Sequence, residues 1–224
     1  MRTPFQEVRE REHTRATRQL ADGIRFLWSM PFLRTTVLMI GVENFALSGA
    51  QLAVIVLAKR HGLSSAGIGG LVALVGATTL LGSLASPLLR RLLSMRAILL
   101  SEFWAGLGTL AFLVWPDVYV LAGTLAAQAF CFPNTDAAIV AYRYTLTPDR
   151  LTARVVTASQ TLAVLTMPLG PLAAGFLLGA TSPRATMAIF TGCVLSVAVW
   201  GTFSRAIRDV APLEQLTLRN VESV

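Results

Sequence analysis

The chain has 224 residues, of which 54% are hydrophobic and only 14% charged, with a mean hydropathy of +0.62 and a formal net charge of +7. Soluble globular domains carry about 25% charged residues, so this composition excludes an ordinary water-soluble fold. The basic balance does not point to nucleic acid, because the arginines lie in loops and no folded basic domain presents a binding face. Anionic lipid is the partner that such loops meet.

Residues 1–34 form a polar, arginine-rich lead. Arg11, Arg15, Arg18 and Arg25 gather on one side of a helical wheel, and Leu20, Ile24, Leu27 and Trp28 fall on the other. That pattern predicts an amphipathic linker helix lying on the cytoplasmic membrane surface, with a solvated linker as the alternative. Pro31 is expected to end it. The first apolar span begins only after this polar lead and is too long for a cleaved signal segment, so no signal peptide is expected.

Six stretches of about 20 apolar residues follow, the length that a helix needs to cross a bilayer. They run over 35–57, 68–88, 97–115, 118–141, 155–180 and 185–203, with a tail over 204–224. The expected fold is an all-α polytopic membrane protein. Cys131 and Cys193 fall inside spans and read as small apolar packers, not as a disulfide or metal framework.

The arginines orient these spans. Arg2, Arg9, Arg11, Arg15, Arg18, Arg25 and Arg34 precede the first span, and Arg90, Arg91 and Arg96 follow the second. Arg143, Arg150 and Arg154 follow the fourth, and Arg205, Arg208 and Arg219 lie in the tail. The opposite side has only Lys59, Arg60 and Arg184. The positive-inside rule therefore predicts a multi-pass cell-membrane protein with both termini cytoplasmic.

A carboxylate at mid-bilayer costs about 3 kcal/mol on insertion scales, so each one needs a partner or a role. Glu43 lies near the middle of the first span. Its neighbour Asn44 shares a helical face with Ser48 and Gln51. Asp136 lies late in the fourth span, with Gln128, Pro133 and Asn134. It reads either as a protonatable group or as the partner of a loop arginine such as Arg143 or Arg150. Glu102, close to the start of the third span, reads as a structural or snorkelling carboxylate. Pro168 and Pro171, with Gly175 and Gly179, predict a bent fifth helix that packs closely on a neighbour, dimerisation being the rival use of the glycines.

Four segments carry a resemblance: "GIRFLWSMPFLR" (Gly23 to Arg34), "GLSSAGIGGLVALVGATTLLGSLASPLLRRL" (Gly62 to Leu92), "YRYTLTPDRLTARV" (Tyr142 to Val155) and "PLGPLAAGFLLGA" (Pro168 to Ala180). In order and spacing the chain resembles the C-terminal six helices of a major facilitator superfamily transporter, in the branch of macrolide-efflux and enterobactin-export proteins. The resemblance implies half of a twelve-helix fold, built as two inverted three-helix repeats. It implies a proton-coupled exporter of drugs or other small molecules such as siderophores. The partner would be a missing N-terminal six-helix half, or a second copy in a homodimer.

In that fold the first helix of each repeat lines the central cavity. The resemblance therefore implies a substrate and proton pathway of Glu43, Asn44, Ser48, Gln51, Gln128, Asn134 and Asp136. Hydrogen-bonding glue within the bundle is the competing use of these side chains. The resemblance also implies a cytoplasmic gating loop at Gly82, Arg90, Arg91 and Arg96. The sequence departs from the family here, because no Asp or Glu lies between Gly82 and Arg96. No cofactor or metal is expected. An enzyme is not expected either, since both histidines, His13 and His61, lie outside the spans. The alternative function is a truncated or accessory membrane protein with no transport of its own.

Overall fold

The computed structural model describes residues 13–209 and, from residue 20 onward, their side chains. Arg2, Arg9, Arg11 and Arg219 therefore lie outside the described residues, as do the side chains of Arg15 and Arg18. All regular structure among the described residues is helical. Helix α1 spans His13–Ser29, α2 Pro31–Arg60 and α3 Ser65–Leu92. The third apolar stretch is α4 (Met95–Ala105), a 3₁₀ turn (Gly106–Thr109) and α5 (Leu110–Val114). Then come α6 (Val118–Leu146), α7 (Asp149–Val164), α8 (Leu169–Ala180), α9 (Pro183–Phe203) and the single turn α10 (Arg205–Arg208).

The boundaries follow from local chemistry. Met30 is extended (φ −99°, ψ 110°) and Pro31 opens α2 at its first position. A proline disfavours a helical residue before it and needs no N–H there. Ser64, Ser94 and Ser182 each accept a backbone N–H three residues on, and Asp117 accepts that of Tyr119 at 2.7 Å, which caps α3, α4, α9 and α6. After α2 the chain reverses at Gly62, whose φ of +75° is open to glycine at little cost.

The fifth stretch is broken between Val164 and Leu169, at Pro168 and just before Pro171 in the first turn of α8. Pro171 has no N–H to give the Met167 carbonyl, and the local turn leads Met167 N–H to Val164 instead of Ala163. The third stretch, expected as one uninterrupted helix, also departs from α geometry at the 3₁₀ turn. Gly106 sits there against Val194 of α9, where any added Cβ would collide.

Two apolar clusters lie at opposite ends of α2. One joins Phe32, Leu33 and Val37 to Leu27, Ile98, Leu99, Ala138, Ile139, Tyr142 and Val155. The other joins Ala46 through Ala58 to Phe112, Leu121, Leu125, Leu178, Met187 and Phe190. On α2, α4 and α6 alike, the residues between the clusters include buried polar ones: Glu43, Glu102 and Gln128.

The exterior is apolar. Leu84, Leu172, Phe176, Val114 and Phe203 are each at least 70% exposed, which only a hydrocarbon surrounding would solvate well. Five helical stretches are long and apolar enough to cross a membrane: Pro31–Arg60, Ser65–Leu92, Met95–Val114, Asp149–Ala180 and Pro183–Phe203. At 29 residues α6 is long enough too, but Gln128, Asn134, Asp136 and Arg143 dilute its apolar run.

Helix α1 is tied down on α7. Leu27 is fully buried, Asp22 pairs with Arg154 at 3.3 Å, and Gly23 lies against the Arg154 carbonyl so closely that a Cβ would not fit. Of the apolar face expected on this helix, Leu20 and Ile24 are half-buried and Trp28 is exposed.

Candidate functional site

The polar layer is built by three helices that each bring one long side chain into the same apolar interior. Gln128 of α6 donates its amide N–H to Glu43 Oε1 of α2 at 2.9 Å. The carboxyl groups of Glu43 and Glu102 lie within hydrogen-bonding reach of each other. Their exposures are 4%, 4% and 3% for Glu43, Glu102 and Gln128. A hydrogen bond between two carboxyl groups needs a proton on one of them. Two carboxylates in contact in a low dielectric cannot both ionise, so the pair titrates as a unit. Asp136 and the Cys131 thiol are the other titratable groups acting on Glu102.

Of the two readings of Glu102, structural pairing or snorkelling, the structure excludes snorkelling, because the side chain is buried beside Glu43. The signal was present, since a glutamate inside an apolar span has to find a partner there. What sequence could not provide was the partner, because Glu43 lies 59 residues away along the chain.

The other pathway candidates take different positions. Asn44 donates to the Ala163 carbonyl at 2.9 Å and Ser48 to the Met167 carbonyl at 2.9 Å. Thr166, from within the break, donates to the Gly41 carbonyl at 2.7 Å. Asn44 and Ser48 therefore supply the donors that the α7–α8 break withdraws from its own carbonyls. Gly170 packs so tightly on Phe45, Ser48 and Gly49 that a side chain there would collide with α2. Irregular backbone at membrane depth is tolerated where protein groups satisfy it, and this is such a place.

Gln51 alone of the Asn44 stripe reaches open space. It lines a cavity of about 350 Å³ between α2, α3 and α6, with Val54, Leu71, Val75 and Leu125 among the apolar walls. Asn134 donates to the Gly82 carbonyl at 3.1 Å, and its own side-chain oxygen is buried without a partner. Gly82 is buried where α3 crosses α6, and a Cβ there would run into the Phe130 carbonyl.

Asp136 is exposed. It acts electrostatically on the buried Arg143. The ion pairs within 4.0 Å among the described residues are instead Asp22–Arg154 and Arg208–Asp209. Arg90 and Arg91 are exposed in the last turn of α3, where they complement the helix dipole. Arg96 donates to the Thr202 carbonyl at 2.7 Å and so fastens α4 to the end of α9. Gly82 and Arg96 thus make two separate contacts, while Arg90 and Arg91 are exposed. Among the described residues no three His, Cys, Asp or Glu side chains gather as a metal site.

No protein-family model matches the chain, and no curated protein matches it.

Proposed function

We propose that the chain is a six-helix half of a proton-coupled secondary transporter of the major facilitator type, an exporter of drugs or other small molecules such as siderophores. In this reading α2 to α5 and α6 to α9 are two inverted three-helix repeats, and the arginine-rich end faces the cytoplasm. The observation that carries it is the Glu43–Glu102–Gln128 layer. A proton-holding pair inside an apolar bundle is what coupling to a proton gradient requires, and it is costly to keep for packing alone. The cavity beside Gln51 and the broken helix clamped by Asn44 and Ser48 support the same reading. Discontinuous helices are a recurrent feature of substrate and ion sites in transporters.

The test uses the complete two-half protein in sealed vesicles and follows efflux of a fluorescent drug-like dye under an imposed proton gradient. Glu43→Gln keeps shape and hydrogen bonding but cannot carry a proton. It is expected to abolish gradient-driven efflux while leaving expression and dye binding close to wild type. Full efflux by the Gln variant at every pH would overturn the coupling role.

A further inference from the structure

The end of the bundle away from Arg90, Arg91 and Arg96 carries a second cleft, of about 340 Å³, that the polar layer does not use. Three separate segments meet around it. Arg60 and His61 come from the end of α2, Pro116 from the turn before α6, and Ser182, Pro183 and Arg184 from the start of α9. The side of the chain that the sequence keeps poor in cations has only Lys59, Arg60 and Arg184, and two of these three converge here.

Among the described residues no carboxylate neutralises their charge. Neither arginine is among the ion pairs formed within 4.0 Å by the described residues. Arg184 reaches only the Val114 carbonyl, at 3.4 Å. Asp117, which follows Pro116 of the cleft wall, turns its carboxylate to the Tyr119 N–H. The N-terminus of the 21-residue α9 opens onto the same cleft and adds its partial positive charge. The remaining walls, Leu57, Pro116 and Pro183, are apolar.

We propose that this cleft binds a phosphate oxyanion, gripped between the guanidinium groups of Arg60 and Arg184. Two arginines lining one cleft suit the three or four oxygens of a phosphate, because Arg binds such groups through paired N–H bonds. The oxyanion can belong to the headgroup of an anionic phospholipid, whose glycerol end would meet the apolar walls, or to a soluble phosphate. The inference stands whether or not the chain transports.

The experiment takes the purified full chain in detergent. Native mass spectrometry measures retention of phosphatidylglycerol against phosphatidylcholine, and thermal unfolding is followed with and without inorganic phosphate. The comparison is with the double variant R60Q/R184Q. Loss of two charge-assisted contacts is expected to weaken binding at least about tenfold. Retained phosphatidylglycerol that the double variant loses identifies the lipid source. A phosphate-induced rise in melting temperature that the double variant loses identifies the soluble one. Binding of neither by the wild type, or equal binding by the double variant, overturns the proposal. Should R60Q/R184Q fold poorly, R60K/R184K keeps both charges without the forks. It is expected to bind more weakly than wild type, and equal affinity would overturn the two-arginine grip.

Discussion

Helices α3 and α6 lie against each other and are nearly equal in length, yet they are opposite in character. Of the 28 residues of α3, only Leu71 and Gly82 are buried. The 29 residues of α6 bury twelve, Gln128, Asn134, Thr135 and Arg143 among them. Helix α3 turns Val72, Leu80, Leu81, Leu84 and Leu88 outward, and it easily meets the requirements for a membrane span. Helix α6 does not meet them. Apolarity along a membrane helix therefore reports how much of it faces lipid, whereas polar residues report how much of it faces protein. The less hydrophobic helix of this pair is the more central one.

The contrast can be broken most severely at the point where the two helices cross. Gly82→Ala places a Cβ against the Phe130 backbone, which cannot yield as a flexible side chain would. A loss of about 3 kcal/mol is expected, at the upper end of overpacking costs. Gly76 on the same helix has nothing within 4 Å of an added Cβ. Gly76→Ala should therefore be neutral or stabilising by about 0.5–1 kcal/mol, through helix propensity alone. Reversible unfolding in mixed micelles measures both, and a similar effect at the two sites would contradict the crossing geometry.

A second comparison sets the buried polar layer against the outward face. Gln128→Leu leaves Glu43 Oε1 without its donor and is expected to cost about 2 kcal/mol. Leu84→Ala, at a position 70% exposed, should change stability by less than about 0.5 kcal/mol. The same unfolding assay separates them, and an inert Gln128→Leu would mean that Glu43 is satisfied some other way.

The smallest of these effects sharpens the role of α2. Asn44→Ala removes the donor that α2 gives the Ala163 carbonyl and leaves only the Thr166 hydroxyl, for a loss of about 1 kcal/mol. The consequence should be local. Amide hydrogen exchange around residues 165–170 should speed up while α3 and α6 stay protected. Uniform acceleration across the chain would show that the clamp is not specific to the break.

How much of this was legible in the sequence depended on whether the signal was local. The apolar stretches, the stop of the lead helix at Pro31, and the bend near Pro168 were readable, because hydrophobic run length and proline chemistry act within a few residues. The 3₁₀ turn at Gly106 was not, since the close approach there is to Val194, on a helix about ninety residues away. Glu43 stood out as a carboxylate in an apolar run. Its pairing with Glu102 and Gln128 is a matter of three-dimensional packing that no spacing rule gives. Asn44 and Ser48 were recognised as one face of a helix. Their target, the pair of carbonyls released by a proline break in α7–α8, could be known only once α2 and that break were seen side by side. Gly82 was singled out by resemblance to a gating loop, whereas its contacts are those of a close helix crossing.

The most direct measurement of the polar layer is infrared spectroscopy of the chain in lipid at neutral pH. One proton shared by Glu43 and Glu102 gives a carboxylic-acid C=O band that shifts in D₂O. Glu43→Gln and Glu102→Gln should each shift or remove it, because each abolishes the carboxyl–carboxyl hydrogen bond that the shared proton makes. Absence of the band in the wild type, or an unchanged band in both single variants, would contradict the shared-proton pair on which the transport reading rests.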